Sequence, residues 1–236
     1  TQRRFQKLVE EAPAGSLSSG LRERIADAAV ALGRELGYEG AGTVEFLVDR
    51  DRDDFSFLEI NTRVQVEHPV TEMVTGVDIV RSQLRIAAGE PLGFDQGDVG
   101  VSGHAIECRI NAESVADGFL PSPGTITHWR PPTADHVRVD SHGFAGYAIP
   151  PYYDSLLAKL VVTGVDRAQA IDRSLAALAE FEIEGVATTR DLHRAVLAHP
   201  DFGNDTINTR WLETTLLPEL AAAHAPTAHA QEAIRG

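Results

Sequence analysis

A single cysteine, Cys108, in 236 residues excludes an internal disulfide and with it the small, disulfide-stapled fold classes. No apolar run approaches the ~20 residues of a membrane-spanning helix, and the opening residues lack the pattern of a signal peptide. Basic charge is also short: 21 Lys and Arg stand against 35 Asp and Glu, a net charge of -14. Such a chain has no basic stripe with which to neutralise a run of phosphates. Neither a nucleic acid nor a membrane is therefore an expected partner, and the cytoplasm is the expected compartment. The nine histidines show no HExxH or comparable metal-ligand spacing, so a zinc site is not expected, and no GxSxG or P-loop pattern occurs. Lysine is scarcest of the charged types: among the basic residues only Lys7 and Lys159 are lysines. A chain that otherwise chooses Arg can keep Lys where a compact ammonium is wanted; the competing reading is two ordinary surface lysines.

What is present is a globular composition, long enough for one large domain or two small ones. Residues 1–13 read as an edge strand entering a loop at Pro13. Residues 18–36 carry Leu21, Ile25, Ala28, Ala29 and Leu32 at helical spacing, with Ser18 or Ser19 as cap and Gly37 beyond the end. GTVEFLV and FSFLEIN, separated by DRDRDD, predict a hairpin with a charged turn. DIVRSQLRIAAG predicts a helix capped by Asp78. From about residue 92 the pattern turns β-rich, with short strands divided by FLPSPG, RPPT and AIPPYYD. Helices are predicted over DRAQAIDRSLAALAEF, TTRDLHRAVLAHP and TRWLETTLL.

The chemistry concentrates in EINTRVQVEHP, residues 59–69. Strict alternation predicts a half-buried strand with Glu59, Asn61, Arg63, Gln65 and Glu67 on one face. If Glu45 pairs with Glu59 across a turn centred on Arg52, two carboxylates face each other. That arrangement destabilises a sheet unless something positive lies between them. A hard divalent cation with Asn61 as a further oxygen ligand would resolve it; a solvated acidic edge is the bland alternative. The flanking Phe46, Leu47, Phe57 and Leu58 favour a well-buried hairpin, in which uncompensated charge is costly. Arg63 offers a planar fork for a small oxyanion, Gln65 can fix its orientation, and Glu67 is placed to take its proton. A simple Arg63–Glu67 ion pair is the alternative. Arg109, in ECRIN, shares a strand face with Glu107, and nothing local separates it from an ordinary charged strand residue.

Beyond these local readings, QRRFQKLVEEAP, FLEINTRVQVEHPVTEMVTGVD, QLRIAAGEPL, GHAIECRINAE, FLPSPGTI and AGYAIPPYYDSLLAKL resemble, in order and over nearly the whole chain to about Leu217, the biotin carboxylase component of biotin-dependent acetyl-/acyl-CoA carboxylases. The resemblance implies an α+β fold: the C-terminal portion of an ATP-grasp domain over residues 1–91, then a β-rich biotin carboxylase C-terminal domain with helices over 92–217. Residues 218–236 are expected to be a mobile tail or linker. It implies an ATP-dependent ligase that makes carboxyphosphate from bicarbonate and carboxylates biotin on a carrier. Glu45, Glu59 and Asn61 would hold Mg²⁺ or Mn²⁺, with Gln2, Glu45 and Glu59 at the nucleotide. Lys7, Arg63, Gln65 and the backbone of Val66 would hold bicarbonate. Glu67 would act as base, and Arg109 would stabilise the biotin enolate. The implied partners are a biotin carboxyl carrier protein or domain, a carboxyltransferase, and a second copy of the chain, in the service of fatty acid biosynthesis.

Two departures from the family pattern stand out. Phe5 occupies a position that is often His beside the nucleotide, and the family's Rossmann-like domain, glycine-rich lid and ATP-holding lysines are not in these residues. The fragment alone is accordingly expected to be inactive. A non-catalytic remnant or assembly module is the competing reading. Another ATP-grasp ligase would share the metal carboxylates but leave RVQVEHP and ECRIN unexplained.

Overall fold

The computed structural model describes residues 1–224. Strands β1 (Gln2–Arg3) and β2 (Gln6–Lys7) form a tight hairpin whose two tip residues, Arg4 and Phe5, both take positive φ, 46° and 67°. That conformation is strained for any residue but Gly, and such strain gathers where a loop must be aimed. β3 (Val9–Ala12) follows and stops at Pro13. Helix α1 (Ser19–Glu35) starts where predicted: the Ser18 hydroxyl accepts the Leu21 N–H at 3.0 Å. β4 (Thr43–Asp49) and β5 (Asp54–Asn61) form the predicted hairpin, and Glu45 does face Glu59. The turn is not centred on Arg52 all the way down, because the register slips next to this pair and Phe46 faces Phe57. A one-residue bulge at Leu58 absorbs the difference.

The strand predicted for 59–67 does not continue past Asn61. Thr62–Glu67 is an irregular loop, and α2 (His68–Thr75) opens at once with Pro69 in its first turn and closes on Gly76 in the left-handed region. The alternation misleads because, among the described residues, no partner strand lies beside it. Burial is reversed as well: Gln65 is buried, whereas Val64 and Val66 are only half-buried. α3 (Ile79–Ala87) is capped by Asp78, which accepts the Arg81 N–H at 2.8 Å; none of its residues is buried.

The second region holds the main sheet. β6 (His104–Asn111) leads through β7 (Glu113–Ser114), β8 (Leu120–Pro121), β9 (Gly124–Thr125) and β10 (His128–Arg130) to β11 (Val137–Ser141), β12 (Ala148–Ile149) and the long β13 (Leu156–Gly164). α4 (Arg167–Glu180), β14 (Glu182–Glu184), α5 (Arg190–Ala198) and α6 (Pro200–Gly203) follow. A π-helical turn over Leu212–Leu216 runs into α7 (Leu217–His224). The expected tail therefore begins as a helix, and Leu217 and Leu220 pack against the core. The rest of that expected tail, 225–236, lies outside the described residues.

The central sheet is antiparallel in the order β11-β13-β6-β3. Alternation sends Ile106, Cys108, Ile110, Ala158, Leu160 and Val162 to one face, where α4, α5 and the C-terminal turns cover them. The other face carries Ala105 and Val161 under Val70 and Val74 of α2. Beside this small apolar patch the same face turns polar, with Glu10, Glu107, Arg109 and Lys159. β3 and α2 come from the first 91 residues and complete this sheet, so the two expected portions share one core.

Candidate active site

The polar face of β6 opens into a cleft of about 890 Å³. Its walls come from the β1–β2 hairpin, the β4–β5 hairpin and the loop Thr62–Glu67. Every candidate side chain reaches it: Gln2, Lys7, Glu45, Glu59, Asn61, Arg63, Gln65, Glu67 and Arg109, together with Val66. The loop thus does what the strand was expected to do.

Glu45 is the hub of one end. Its Oε1 accepts from Gln65 Nε2 at 2.9 Å, Lys7 Nζ at 3.1 Å and Asn61 Nδ2 at 3.2 Å. Asn61 Nδ2 also donates to Glu59 Oε1 at 2.8 Å, so one amide bridges the facing carboxylates. The Gln65 bond, ahead of the Lys7 contact, holds the Glu45 carboxyl below its ordinary pKa despite some burial. Partial burial works against charge on Lys7, but its bonds to Glu67 and Glu45 prevail and keep its pKa above the ordinary value. The hairpin is not the buried element expected: Leu47, Phe57 and Leu58 are each about half exposed. The carboxylate pair is therefore open to ions and water.

A cation fits this donor set in chemistry. Glu45 and Glu59 are a pair rather than a cage, and among the described residues no cluster of three or more His, Cys, Asp or Glu side chains could hold a metal. Mg²⁺ suits such a site, since it commonly takes one or two carboxylates and completes its shell with water and phosphate oxygens. Asn61 would have to turn its amide to present oxygen instead of nitrogen.

Glu67 joins this end to the sheet. One oxygen pairs with Lys7, and the other accepts from Arg109 Nη2 at 2.9 Å. The expected alternative, an Arg63–Glu67 pair, does not form: Arg63 is exposed, and among the described residues its guanidinium bonds only the Val64 carbonyl, at 3.3 Å. Its fork faces the cleft free for an anion. Arg109 is held from both sides. Its Nε donates to Glu10 Oε1 at 2.6 Å, and its carbonyl accepts from Thr189 Oγ1 at 2.9 Å and from His193 Nε2 at 2.5 Å. Burial lowers the His193 pKa to about 4, so at neutral pH its ring is uncharged, with the proton on Nε2.

Several participants were not legible in the sequence. Leu47, Leu58, Asp154 and Thr209 also line the cleft, and Gln2 Nε2 donates to the Thr209 carbonyl at 3.3 Å. Glu10 anchors Arg109, and Glu107 lies opposite Glu10 across the strands. Glu107 is fully buried, and among the described residues neither side-chain oxygen has a hydrogen-bond partner. Burial first, then the neighbouring Glu10, pushes its pKa up to about 9, so it keeps its proton at neutral pH. The exposed leucines were the one available signal, misread as buried.

Comparison with known proteins gives a consistent picture. Residues 1–94 match the family model of the carbamoyl-phosphate synthase L chain ATP binding domain, and residues 107–214 match that of the biotin carboxylase C-terminal domain. The chain is 51% identical over 213 residues to Biotin carboxylase 1 of Bacillus subtilis, covering 90% of this chain and 47% of that protein. It is equally 51% identical over 212 residues to a pyruvate carboxylase subunit of Methanothermobacter thermautotrophicus, covering 90% of this chain and 43% of that one. Among solved structures it is similar to the biotin carboxylase domain dimer of Hydrogenobacter thermophilus 2-oxoglutarate carboxylase, in complex with MgADP, ADP and bicarbonate. There the TM-score is 0.87 at 48% identity, over 90% of this chain and 47% of that one. The chain spans about half the length of the curated relatives it matches.

Proposed function

The chain belongs to the biotin carboxylase family, and on that premise we propose that it supplies the metal, bicarbonate and base residues of an ATP-dependent biotin carboxylase. Residues 1–91 would be the C-terminal portion of the ATP-grasp domain and 92–217 the biotin carboxylase C-terminal domain. The observation that carries this reading is the convergence of the ten expected residues on one cleft.

Bicarbonate would be gripped by the free fork of Arg63, with Lys7, Gln65 and the Val66 N–H fixing its orientation. Glu67, held between Lys7 and Arg109, is placed to take the bicarbonate proton. The oxygen so freed attacks the γ-phosphorus of ATP and displaces ADP, giving carboxyphosphate. A Mg²⁺ or Mn²⁺ at Glu45, Glu59 and Asn61 would neutralise phosphate charge when bound. Gln2 and the exposed Leu47 and Leu58 would border the nucleotide. Carboxyphosphate then breaks down to CO₂ and phosphate, and the released phosphate takes the ureido N–H proton of biotin. Arg109, fixed by Glu10 and the Thr189–His193 clamp, would stabilise the enolate of biotin as it takes up CO₂.

The partners proposed are a biotin carboxyl carrier protein or domain, a carboxyltransferase and a second copy of the chain. An acetyl- or acyl-CoA as final acceptor is the finer proposal. Equal identity to a biotin carboxylase and to a pyruvate carboxylase component means that pairing with purified carboxyltransferases must decide it. The buried thiol of Cys108 accords with a cytoplasmic setting.

The test is bicarbonate-dependent ATP hydrolysis in the presence of free biotin. The 236-residue chain joined to the N-terminal half of a biotin carboxylase should turn over, and the chain alone should not. No turnover by the joined protein would overturn the reading. Robust turnover by the chain alone would overturn the claim that it needs the other half.

A further inference from the structure

Lys159 is one of only two lysines in the chain, and unlike Lys7 it does not line the cleft. It sits in the middle of β13, directly across from Arg109 on β6 and Asp140 on β11. Its side chain is 13% exposed, a cost for an ammonium that must be offset by bonds. Two are present. Its Nζ lies 3.3 Å from Asp140 Oδ2 and donates to the carbonyl of Val66 at 3.2 Å.

The second bond matters because of what it holds. Thr62–Glu67 is irregular, and its other main-chain hydrogen bonds among the described residues are local: Gln65 O accepts from His68, Val64 O from Arg63, and Glu67 O from Val70. Among the described residues, Lys159 makes the one hydrogen bond from the four-stranded sheet to this loop's backbone. The tether is stiff. Asp140 is gripped by Arg138 through two bonds of 2.8 Å, and the remaining arm of Arg138 reaches Glu72 of α2 at 2.7 Å. The helix that follows the loop is thereby tied to the same network. A compact ammonium suits the place, since a guanidinium beside Arg109 would need more room.

We propose that Lys159 is a positioning residue for the anion: by fixing the Val66 carbonyl it sets the Val66 N–H, Gln65 and Glu67 in the geometry that grips and deprotonates bicarbonate. The inference rests on the function proposed above but names a residue that never touches the substrate. Removing the ammonium leaves Asp140 still paired with Arg138, so Lys159→Met deletes the tether without stranding a charge.

Two measurements separate this role from a merely structural one. In the joined, active enzyme, Lys159→Met should raise KM for bicarbonate by about tenfold or more while KM for ATP moves less than about twofold. Asp140→Asn, which loosens the ammonium without removing it, should shift bicarbonate KM the same way by a smaller factor. In the 236-residue chain, hydrogen exchange at the His68 and Val70 amides should accelerate in Lys159→Met while that at Ile106 and Leu160 stays unchanged. Equal changes in both KM values, or an unchanged bicarbonate KM with unchanged exchange, would overturn the proposal. Inactivity of the unsubstituted joined enzyme would instead overturn the functional reading, and the exchange result would still decide the tether.

Discussion

Two pairs of glutamates face each other across antiparallel strands here, and they meet opposite fates. Glu45 and Glu59 lie on a half-exposed hairpin; Glu10 and Glu107 lie in the central sheet under α2. On strand geometry alone the pairs are alike, with Cβ atoms about 4.5–5.5 Å apart and like charges opposed. The hairpin pair is surrounded by donors from Asn61, Gln65 and Lys7, and Glu45 is held below its ordinary pKa. In the sheet pair Glu10 takes Arg109, and Lys159, the other cation on that face, is paired with Asp140. Burial raises the pKa of Glu10, against the pull of Arg109, and raises that of Glu107 to about 9. The exposed pair is met by donors and is open to a metal. The buried pair keeps a proton and serves as scaffold. Burial and the local count of donors, not the pairing itself, decide which of the two a glutamate pair becomes.

Glu67 is the link between these regions, paired through Lys7 toward Glu45 and through Arg109 toward Glu10. Its loss should have the largest effect. Glu67→Gln in the joined enzyme should lower kcat for biotin carboxylation by about 10²–10⁴-fold, the range for a general base, with the melting temperature little changed. Retained turnover would remove Glu67 from that role.

The hairpin pair comes next. Glu59→Gln should cost on the order of 10²-fold in kcat/KM, comparable to losing one preorganised electrostatic contact. It should also raise the Mg²⁺ concentration needed for half-maximal rate. An unchanged Mg²⁺ dependence would make this pair no different from a solvated acidic edge.

The smallest effect should come from the buried pair, and it concerns stability. Glu107 keeps its proton when folded up to about pH 9 but releases it near its ordinary value of 4.5 when unfolded. The unfolded chain then binds fewer protons, so stability should fall as pH rises between about 5 and 9. Glu107→Gln mimics the protonated form and should flatten that slope, leaving the variant no less stable at pH 8. Melting temperatures at pH 5.5 and 8 would show it. A steeper slope in the variant would mean that Glu107 is ionised in the folded protein.

Local features of this comparison were legible in the sequence, and distant ones were not. α1 and α3 followed from spacing and caps, because each depends on neighbours along the chain; the Glu45–Glu59 pairing was expected from a turn centred on Arg52 but is reached through the bulge at Leu58. Glu10 and Glu107 come from far-separated strands whose register no local pattern encodes. The loop Thr62–Glu67 imitates a strand because its alternation is real while a partner strand is lacking among the described residues. Pro69 in the first turn of α2 was the signal that the chain had changed state. The residues singled out by the family resemblance do converge on one cleft. Only the fold supplied the groups behind them, Glu10, Thr189 and His193, and the place of Lys159, which the sequence marked as one of two lysines.

The central claim is that the exposed glutamate pair is a cation site beside an anion fork. The most direct measurement is anomalous scattering from Mn²⁺ in crystals of the joined enzyme soaked with nucleotide and bicarbonate. The account predicts a manganese peak between the carboxylates of Glu45 and Glu59, with bicarbonate against Arg63. Nucleotide bound in the cleft with no manganese at that pair would contradict it.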